Sequence, residues 1–496
     1  MSRVPELRRT LLNAAPVARG DYVLYWMTAA RRTRHSFALD RAVELAVELQ
    51  RPLVVLEALR LDYRWASRRL HAFVIEGMAD NRERLQSAGV RHHAYVEPAP
   101  GAGRGLLAAW AERAAVVITD EQRGFFQPRM AARAAERLGV RVESVDGVGL
   151  LPLRAADRAF ARAVDFRRFL QRTLATHLEE TPAVDPLRGL RALPRLERIP
   201  AHILERWPDA SPELLAGRLD ALSRLPVDPS VEKVELRGGA RAGHRRLEEF
   251  VRARLPHYAE RKHPDRHASS GLSPHLHFGH VGAHEVFAAV TAAEDWTPAA
   301  LSPRASGQKE HFWGMSAPAE AFLDELLTWR ELGHNFCAFR DDFDRYESLP
   351  GWALDTLARH ANAPRPHLYR LEELEAARSH DPVWNAAQRE LTSEGVLHNY
   401  LRMLWGKKIL EWSASPREAI SIMIELNNKY ALDGRDPSSY SGIFWCLGRY
   451  DRPWAPERPI FGVIRYMSSD ATLKKLRMKE YLARHAGEDR QRSLGF

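Results

Sequence analysis

Apolar residues follow two rhythms along this chain. In the first third, short apolar runs alternate with segments whose apolar positions recur every three or four residues. The runs Tyr22–Trp26, Pro52–Leu56, His92–Val96, Ala115–Thr119 and Val140–Val145 read as strands, being short, β-branched or aromatic, and bounded by turn residues. Phe37–Leu49, Ala66–Ala88, Leu106–Arg113 and Pro128–Leu138 read as the helices between them. Five strands interleaved with helices predict a doubly wound, parallel, Rossmann-like α/β domain over residues 18–150.

The rhythm then changes. Pro152, Pro182, Pro186, Pro194, Pro200, Pro208, Pro212, Pro226 and Pro229 break residues 151–245 into short pieces, so this span reads as a long interdomain linker. From residue 246 to 496 the pattern is helical throughout. Asp381-Pro382 opens one helix as N-cap and first residue, and Gly395 closes it. Val396–Ser413 forms the next, and Ser415-Pro416-Arg417-Glu418 is a capping box for a third that runs to about Lys429. The Asp433-Gly434 turn follows. An all-α carboxyl-terminal domain results.

Composition narrows the classes. The chain has 496 residues and a formal net charge of +9, which favours a polyanionic partner such as nucleic acid. Two cysteines, Cys337 and Cys446, cannot build a disulfide framework or a thiolate cluster. No apolar run is long enough to span a membrane, and the first residues lack the apolar core of a secretory signal. A cytoplasmic protein is expected. Nine of its 13 tryptophans lie from Trp296 onward, so the oxidisable rings are concentrated in the helical part.

Four groups of residues could carry chemistry. Gly101, Gly103 and Gly105 lack the spacing and position of a dinucleotide fingerprint and read as a turn. In the run from Leu272 to His280, the histidines His275, His277 and His280 are not spaced as ligands on one face, so no metal site is expected. Ser273 as N-cap with Pro274 after it, preceded by Ser269, Ser270 and Gly271, could offer free N–H groups to a phosphate, or could simply cap a helix. Trp405 and Trp412 share a helix face, with Trp384 on the preceding helix; such a stripe is either core or an electron relay. Glu325 and Trp329 stand four apart on an otherwise apolar helix, as a solvated face or as a polar group beside an aromatic wall.

The segments LSPHLHFG (272–279), AFLDELLTWRELGHNFC (321–337), YESLPGWA (346–353), HDPVWNAAQ (380–388), MLWGKKILEWSASP (403–416) and LNNKYALDGRDP (426–437) together resemble the class II cyclobutane pyrimidine dimer photolyases of the photolyase–cryptochrome family. The resemblance is strongest over residues 246–480 and weaker over 20–150. It implies an amino-terminal α/β domain, a long linker and a helical domain that binds FAD. It also implies repair by light-driven electron transfer from reduced flavin to a flipped-out dimer in UV-damaged DNA. Tyr258, Ser270, Leu272 and Ser273 match the segment around the FAD phosphates, and Arg330 and Asn335 match a flavin-lining segment. Asn427 matches the amide facing flavin N5; Arg402 and Asp433 match a salt-bridged pair beside the ring, with Gly434 adjoining. Glu325, Trp329, Met403 and Trp445 match the lesion pocket, with Glu325 bonded to a thymine carbonyl. Trp384, Trp405 and Trp412 match the relay that carries electrons from the surface to oxidised flavin.

Departures are equally specific. Glu285 stands where an Arg is expected, residues 294–319 look inserted, and the first-strand region WMTAARRTRHSFAL lacks the usual motif, so an antenna chromophore has no named residues here. Nothing points to an obligate protein partner. Two other readings share the fold: a photolyase for a different photoproduct, and a cryptochrome-like photoreceptor. A DNA-binding protein without flavin is a third.

Overall fold

Runs that are apolar at every position need cover on both faces. In the computed structural model, which describes residues 3–190, 193–196 and 199–487, they become the centre of a six-stranded sheet. Its strands are β1 (Arg9–Leu11), β2 (Tyr22–Met27), β3 (Leu53–Leu59), β4 (Arg91–Val96), β5 (Ala114–Glu121) and β6 (Val142–Asp146), in the order β1-β6-β5-β2-β3-β4. All neighbours pair in parallel except β1, which runs antiparallel to β6. β1 escaped the sequence reading because three residues carry no period.

Helices cover both faces. The helix Phe37–Leu49 begins where Ser36 Oγ accepts from Leu39 N, and Arg68–Ser87 begins in the same way at Ser67. Phe37, Leu39, Val43 and Ala46 pack with Val23, Tyr25 and Val55 on one face. Leu106, Trp110 and Ala135 pack with Leu24, Trp26 and Val117 on the other.

Packing divides the chain into two compact units: Met1–Asp157 with Arg172–Glu249 and Gly271–Ala299, and Arg158–Gln171 with Phe250–Ser270 and Ala300–Phe496. This cuts across the spans 18–150, 151–245 and 246–496. Much of the proline-broken stretch is built into the first unit: Leu187 and Leu190 join one core, and Ile203 and Trp207 the other. Apolar residues spaced between prolines can be buried without regular structure.

In the first unit Ser273 is not an N-cap. Leu272 holds that position with helical backbone angles and no side-chain cap, because Gly271 turns the chain at φ +68°. The helix Ser273–His277 has five residues, and Ser273 is exposed. His275 and His280 are buried against Phe73 and burial lowers both pKa values. Among the described residues, no group of three or more His, Cys, Asp or Glu is placed to hold a metal, and no helix is long and apolar enough to cross a membrane.

The second unit is helical. Asp381 caps the helix Pro382–Glu394 through Val383 N and Trp384 N, and Gly395 ends it at φ +71°. The helix Asn399–Trp412 starts three residues later than the apolar pattern suggested, because Gly395 must first turn the chain and His398 is extended. Ser415 caps Pro416–Tyr430, and Asp436 caps Pro437–Trp445.

Asp120, at the end of β5, accepts from three successive backbone N–H groups, Thr28 (2.8 Å), Ala29 (2.7 Å) and Ala30 (3.0 Å), and from the Tyr25 hydroxyl (2.7 Å). Asp120→Ala strands these donors and is expected to lower stability by about 2–4 kcal/mol, measured by denaturant unfolding. A loss within error of zero would show that water replaces the carboxylate.

Candidate active site

Three consecutive helices of the second unit, Asn399–Trp412, Pro416–Tyr430 and Pro437–Trp445, converge on one polar group. Arg402, on Asn399–Trp412, donates through one nitrogen to both oxygens of Asp433 at 2.9 and 3.2 Å. Its other terminal nitrogen donates to Asn427 Oδ1 (3.2 Å) and Ser439 Oγ (3.3 Å). Asn427, on Pro416–Tyr430, donates to Ser439 Oγ (2.9 Å) and Asn428 Oδ1 (3.1 Å) and is 1% exposed. The Asp433-Gly434 turn is forced by close approach. A Cβ on Gly434 would stand 2.7 Å from Asn427 O and 3.0 Å from Ala431 O. The turn is held by Asn428, whose side-chain and main-chain oxygens accept from Arg435. The expected Arg402–Asp433 pair is therefore present. Ser439 and Asn428 were missed, and no residue pattern distinguishes them from ordinary helix polar groups.

Trp405 and Trp412 lie on the same helix as Arg402, and Trp384 lies on the preceding helix Pro382–Glu394. Trp384, Trp405 and Trp412 are 0, 1 and 2% exposed, sealed from water. Trp384 Nε1 donates to the Trp405 carbonyl (3.0 Å), and its ring meets Trp412 edge-on at 5.6 Å. Trp405 Nε1 donates to Gln388 Oε1 (2.8 Å), another residue the sequence did not signal. Trp384 therefore bridges the other two. The trio itself does not reach the surface. Half-buried Tyr369 and exposed His380, hydrogen-bonded to each other at 2.7 Å, lie edge-on to Trp412 at 5.5 and 5.2 Å.

Glu325 and Trp329 sit on a π-helical turn, Asp324–Trp329, between the α-helices Ala317–Leu323 and Arg330–Phe339. Here Arg330 N donates to Glu325 O, five residues back. The wider turn re-aims side chains relative to a regular helix, a device common at functional sites. Its base is fixed by a bidentate pair from Arg167 to Asp324, at 2.6 and 3.0 Å. Glu325 is paired with Arg261 at 3.2 Å, with 31% of its side chain exposed. Desolvation raises the Glu325 pKa and Asp324 adds to that, while Arg261 opposes both. Arg261 also lies 4.7 Å over the ring of buried Tyr258, and its carbonyl accepts from His398 Nε2 at 2.9 Å. Burial holds His398 down to about 4, so its imidazole is neutral at physiological pH. Arg261 and His398 thus link Glu325 and Tyr258 to the start of the helix carrying Arg402; neither was singled out from sequence.

The remaining expected residues are placed as follows. Trp329, Arg330, Met403 and Trp445 are half-buried. Trp445 ends the helix Pro437–Trp445, with the buried Lys407 ammonium 4.9 Å over its ring. Asn335 is occupied elsewhere: its amide donates to Arg158 O (3.0 Å) and accepts from Phe160 N (3.2 Å). Ser270 is half-buried at the end of a segment of the second unit, whereas Leu272 and Ser273 belong to the first.

No protein-family model matches the chain. It is 34% identical over 481 residues to a deoxyribodipyrimidine photo-lyase of Methanothermobacter thermautotrophicus, covering 97% of this chain and 98% of that protein. It is 32% identical to the enzyme of that name from Oryza sativa (96 and 90% covered) and 31% to that from Potorous tridactylus (92 and 80%). The chain belongs to the deoxyribodipyrimidine photo-lyase family. A class III photolyase from Agrobacterium tumefaciens shares the fold, with a TM-score of 0.67 at 17% identity over 95% of this chain and 88% of that one. The photo-lyase fold, an α/β part followed by a helical part, is thus the one read from the hydrophobic pattern.

Because Arg261 is the main group that lowers the Glu325 pKa, Arg261→Ala should move that carboxyl to a still higher pKa. Carbon-13 NMR of labelled glutamate across a pH series reads this directly. An unchanged or lowered value would show that Arg261 does not set the charge of Glu325.

Proposed function

We propose that the second unit is the catalytic half of a class II cyclobutane pyrimidine dimer photo-lyase. The chain is a lyase of the photo-lyase family, and its function is light-driven repair of cyclobutane pyrimidine dimers in DNA. One observation carries the site assignment: a single helix bears both Arg402, which organises the Asn427–Asp433 group, and Trp405, which joins the sealed indoles.

That donor set fits the edge of an isoalloxazine. An amide, a carboxylate and a guanidinium stand together, matching a ring edge that presents nitrogens and carbonyls. In this reading Arg402, Asn427, Asp433 and Gly434 hold FAD at its ring, and Tyr258, Ser270 and Arg330 hold the rest. Both Asn427 amide hydrogens already have protein acceptors, so a ligand contact at Nδ2 exchanges one of them. The chemistry a bound, reduced FAD supplies is delivery of one electron to the dimer under light and its recovery after the ring opens. Asp433, held by Arg402 at 2.9 and 3.2 Å, shapes the local field in this reading. Trp384, Trp405 and Trp412 restore the reduced state in the same reading; their dryness limits solvent reorganisation around a passing charge.

The lesion side is Glu325, Trp329, Met403 and Trp445. A carboxyl whose ionised form is disfavoured by desolvation can donate a hydrogen bond to a thymine carbonyl as charge builds there. The half-buried indoles give an everted base an apolar wall, and a damaged pair costs less to unstack than an intact one. The partner is UV-damaged DNA, gripped by the cationic surface without sequence readout. A second, light-gathering chromophore at the carboxyl ends of the parallel strands is accessory in this account. A cytoplasmic setting is also part of the reading, in accord with two free cysteines.

Glu325→Ala is expected to slow repair by up to about 10²-fold with FAD still bound. Quantum yields on a dimer-bearing oligonucleotide check this, and a wild-type yield removes Glu325 from the mechanism. Trp405→Phe should abolish photoreduction of oxidised flavin, followed by absorbance, yet leave repair by chemically reduced enzyme intact. Photoreduction at the wild-type rate would mean another relay operates.

A further inference from the structure

Residues 294–319 match none of the recognised motifs, yet residues 300–316 are firmly fixed within the second unit. Glu320, 3% exposed, accepts backbone N–H groups from Trp313 (3.1 Å), Gly314 (3.0 Å), Met315 (3.5 Å) and His311. On the opposite flank, Gln171 accepts from Gly307 N and donates to Gln308 O, both at 2.7 Å. Arg168 donates to Ser306 O at 3.2 Å. Arg167 donates to Gly307 O at 3.5 Å while also holding Asp324, the base of the π-turn that carries Glu325. Phe312 and Trp313 are buried beneath.

The loop is therefore anchored on both sides of Lys309, which is exposed between Gln308 and His311. Lys309 lies within electrostatic reach of Glu325 and of Lys262, and Lys262 is within reach of Arg261 and Lys475. Lys309, Lys262 and Arg261 thus lie near Glu325, and Lys475 adjoins Lys262. Arg261, Lys475 and Lys309 each disfavour the charge of Lys262 more than Glu325 supports it, and a bound polyanion would offset that repulsion. The Arg167 link also makes the placement of Lys309 and of the π-turn one mechanical unit. A merely solubilising loop would need neither the buried Glu320 cradle nor anchors shared with Asp324.

We propose that the 300–316 loop is a strand clamp, in which Lys309, together with Lys262 and Lys475, grips the phosphates of the DNA strand on either side of a base everted toward Glu325. This rests on the photo-lyase reading of that site. It assigns the unmatched segment an interaction surface whose partner is the sugar–phosphate backbone rather than any base edge. Losing one phosphate contact should change the salt dependence of binding, and should do so alike on damaged and undamaged DNA.

The test is fluorescence-anisotropy titration of the full-length, FAD-loaded protein with dimer-bearing and undamaged duplexes over a series of salt concentrations. In Lys309→Ala the slope of log K against log salt should fall in magnitude by about one. Affinity should drop by a similar factor on both duplexes, and Lys309→Glu should weaken binding further. Lys309→Arg should restore the wild-type slope. Melting temperature and flavin absorbance should be unchanged in all three, since the side chain is exposed. Wild-type slope and affinity in both Lys309→Ala and Lys309→Glu would overturn the clamp. Failure of the wild-type protein itself to bind dimer-bearing DNA would instead overturn the photo-lyase reading on which the clamp rests.

Discussion

The Arg402–Asp433 ion pair is the constraint on which the helical unit turns. Its partners are 31 residues apart and their side chains are only 11 and 15% exposed. Burying two charges costs desolvation that their attraction repays only with good geometry and further hydrogen bonds. Those bonds are present: Arg402 also donates to Asn427 and Ser439, so one guanidinium fixes three helices and the Asp433 turn relative to each other. Removing either charge would leave the other uncompensated, while replacing both with apolar groups could preserve packing. Such a pair is better explained by what it positions than by stability alone.

The glycines show the same economy. Gly333 lets the helix Arg330–Phe339 cross Pro437–Trp445 so closely that a Cβ would lie 2.8 Å from both Ser438 Cα and Ser441 Oγ. Gly434 brings the Asp433 turn against the end of Pro416–Tyr430. Close backbone approach lets short polar side chains such as Ser439 and Asn427 reach one another. The π-turn adds a second device, since it presents Glu325 and Trp329 without breaking the helical path. Arg261 then couples that turn to the helix bearing Arg402 by way of His398.

Much of this was legible from the residues, and the failures have physical causes. Phe37–Leu49 has the bounds its period gave, and Asp381 and Gly395 mark the ends of their helix, because caps act through neighbouring backbone atoms. Ser273 failed as a cap because a cap residue needs extended backbone angles, and Gly271 delivers the chain already turned. Asn335 sits in a recognised motif, but its amide is held by Arg158 and Phe160, partners from a distant segment. Ser439, Gln388, Arg261 and His398 were invisible for the complementary reason. They act through long-range contacts that leave no period, spacing or composition behind.

The sequence by itself determined the fold class, the concentration of tryptophan in the helical part and the residue types available for electron transfer and lesion contact. These follow from periodicity, capping chemistry and motif order, all of which are local in the chain. Tertiary structure alone decided that Trp384 stands between Trp405 and Trp412, that Arg402 spans Asn427, Ser439 and Asp433, and that Arg261 sits on Glu325. It also decided that the unmatched loop shares Arg167 with the π-turn. Hydrogen bonds, ion pairs and ring contacts act over a few ångströms in space, and only folding brings residues tens or hundreds of positions apart within that range.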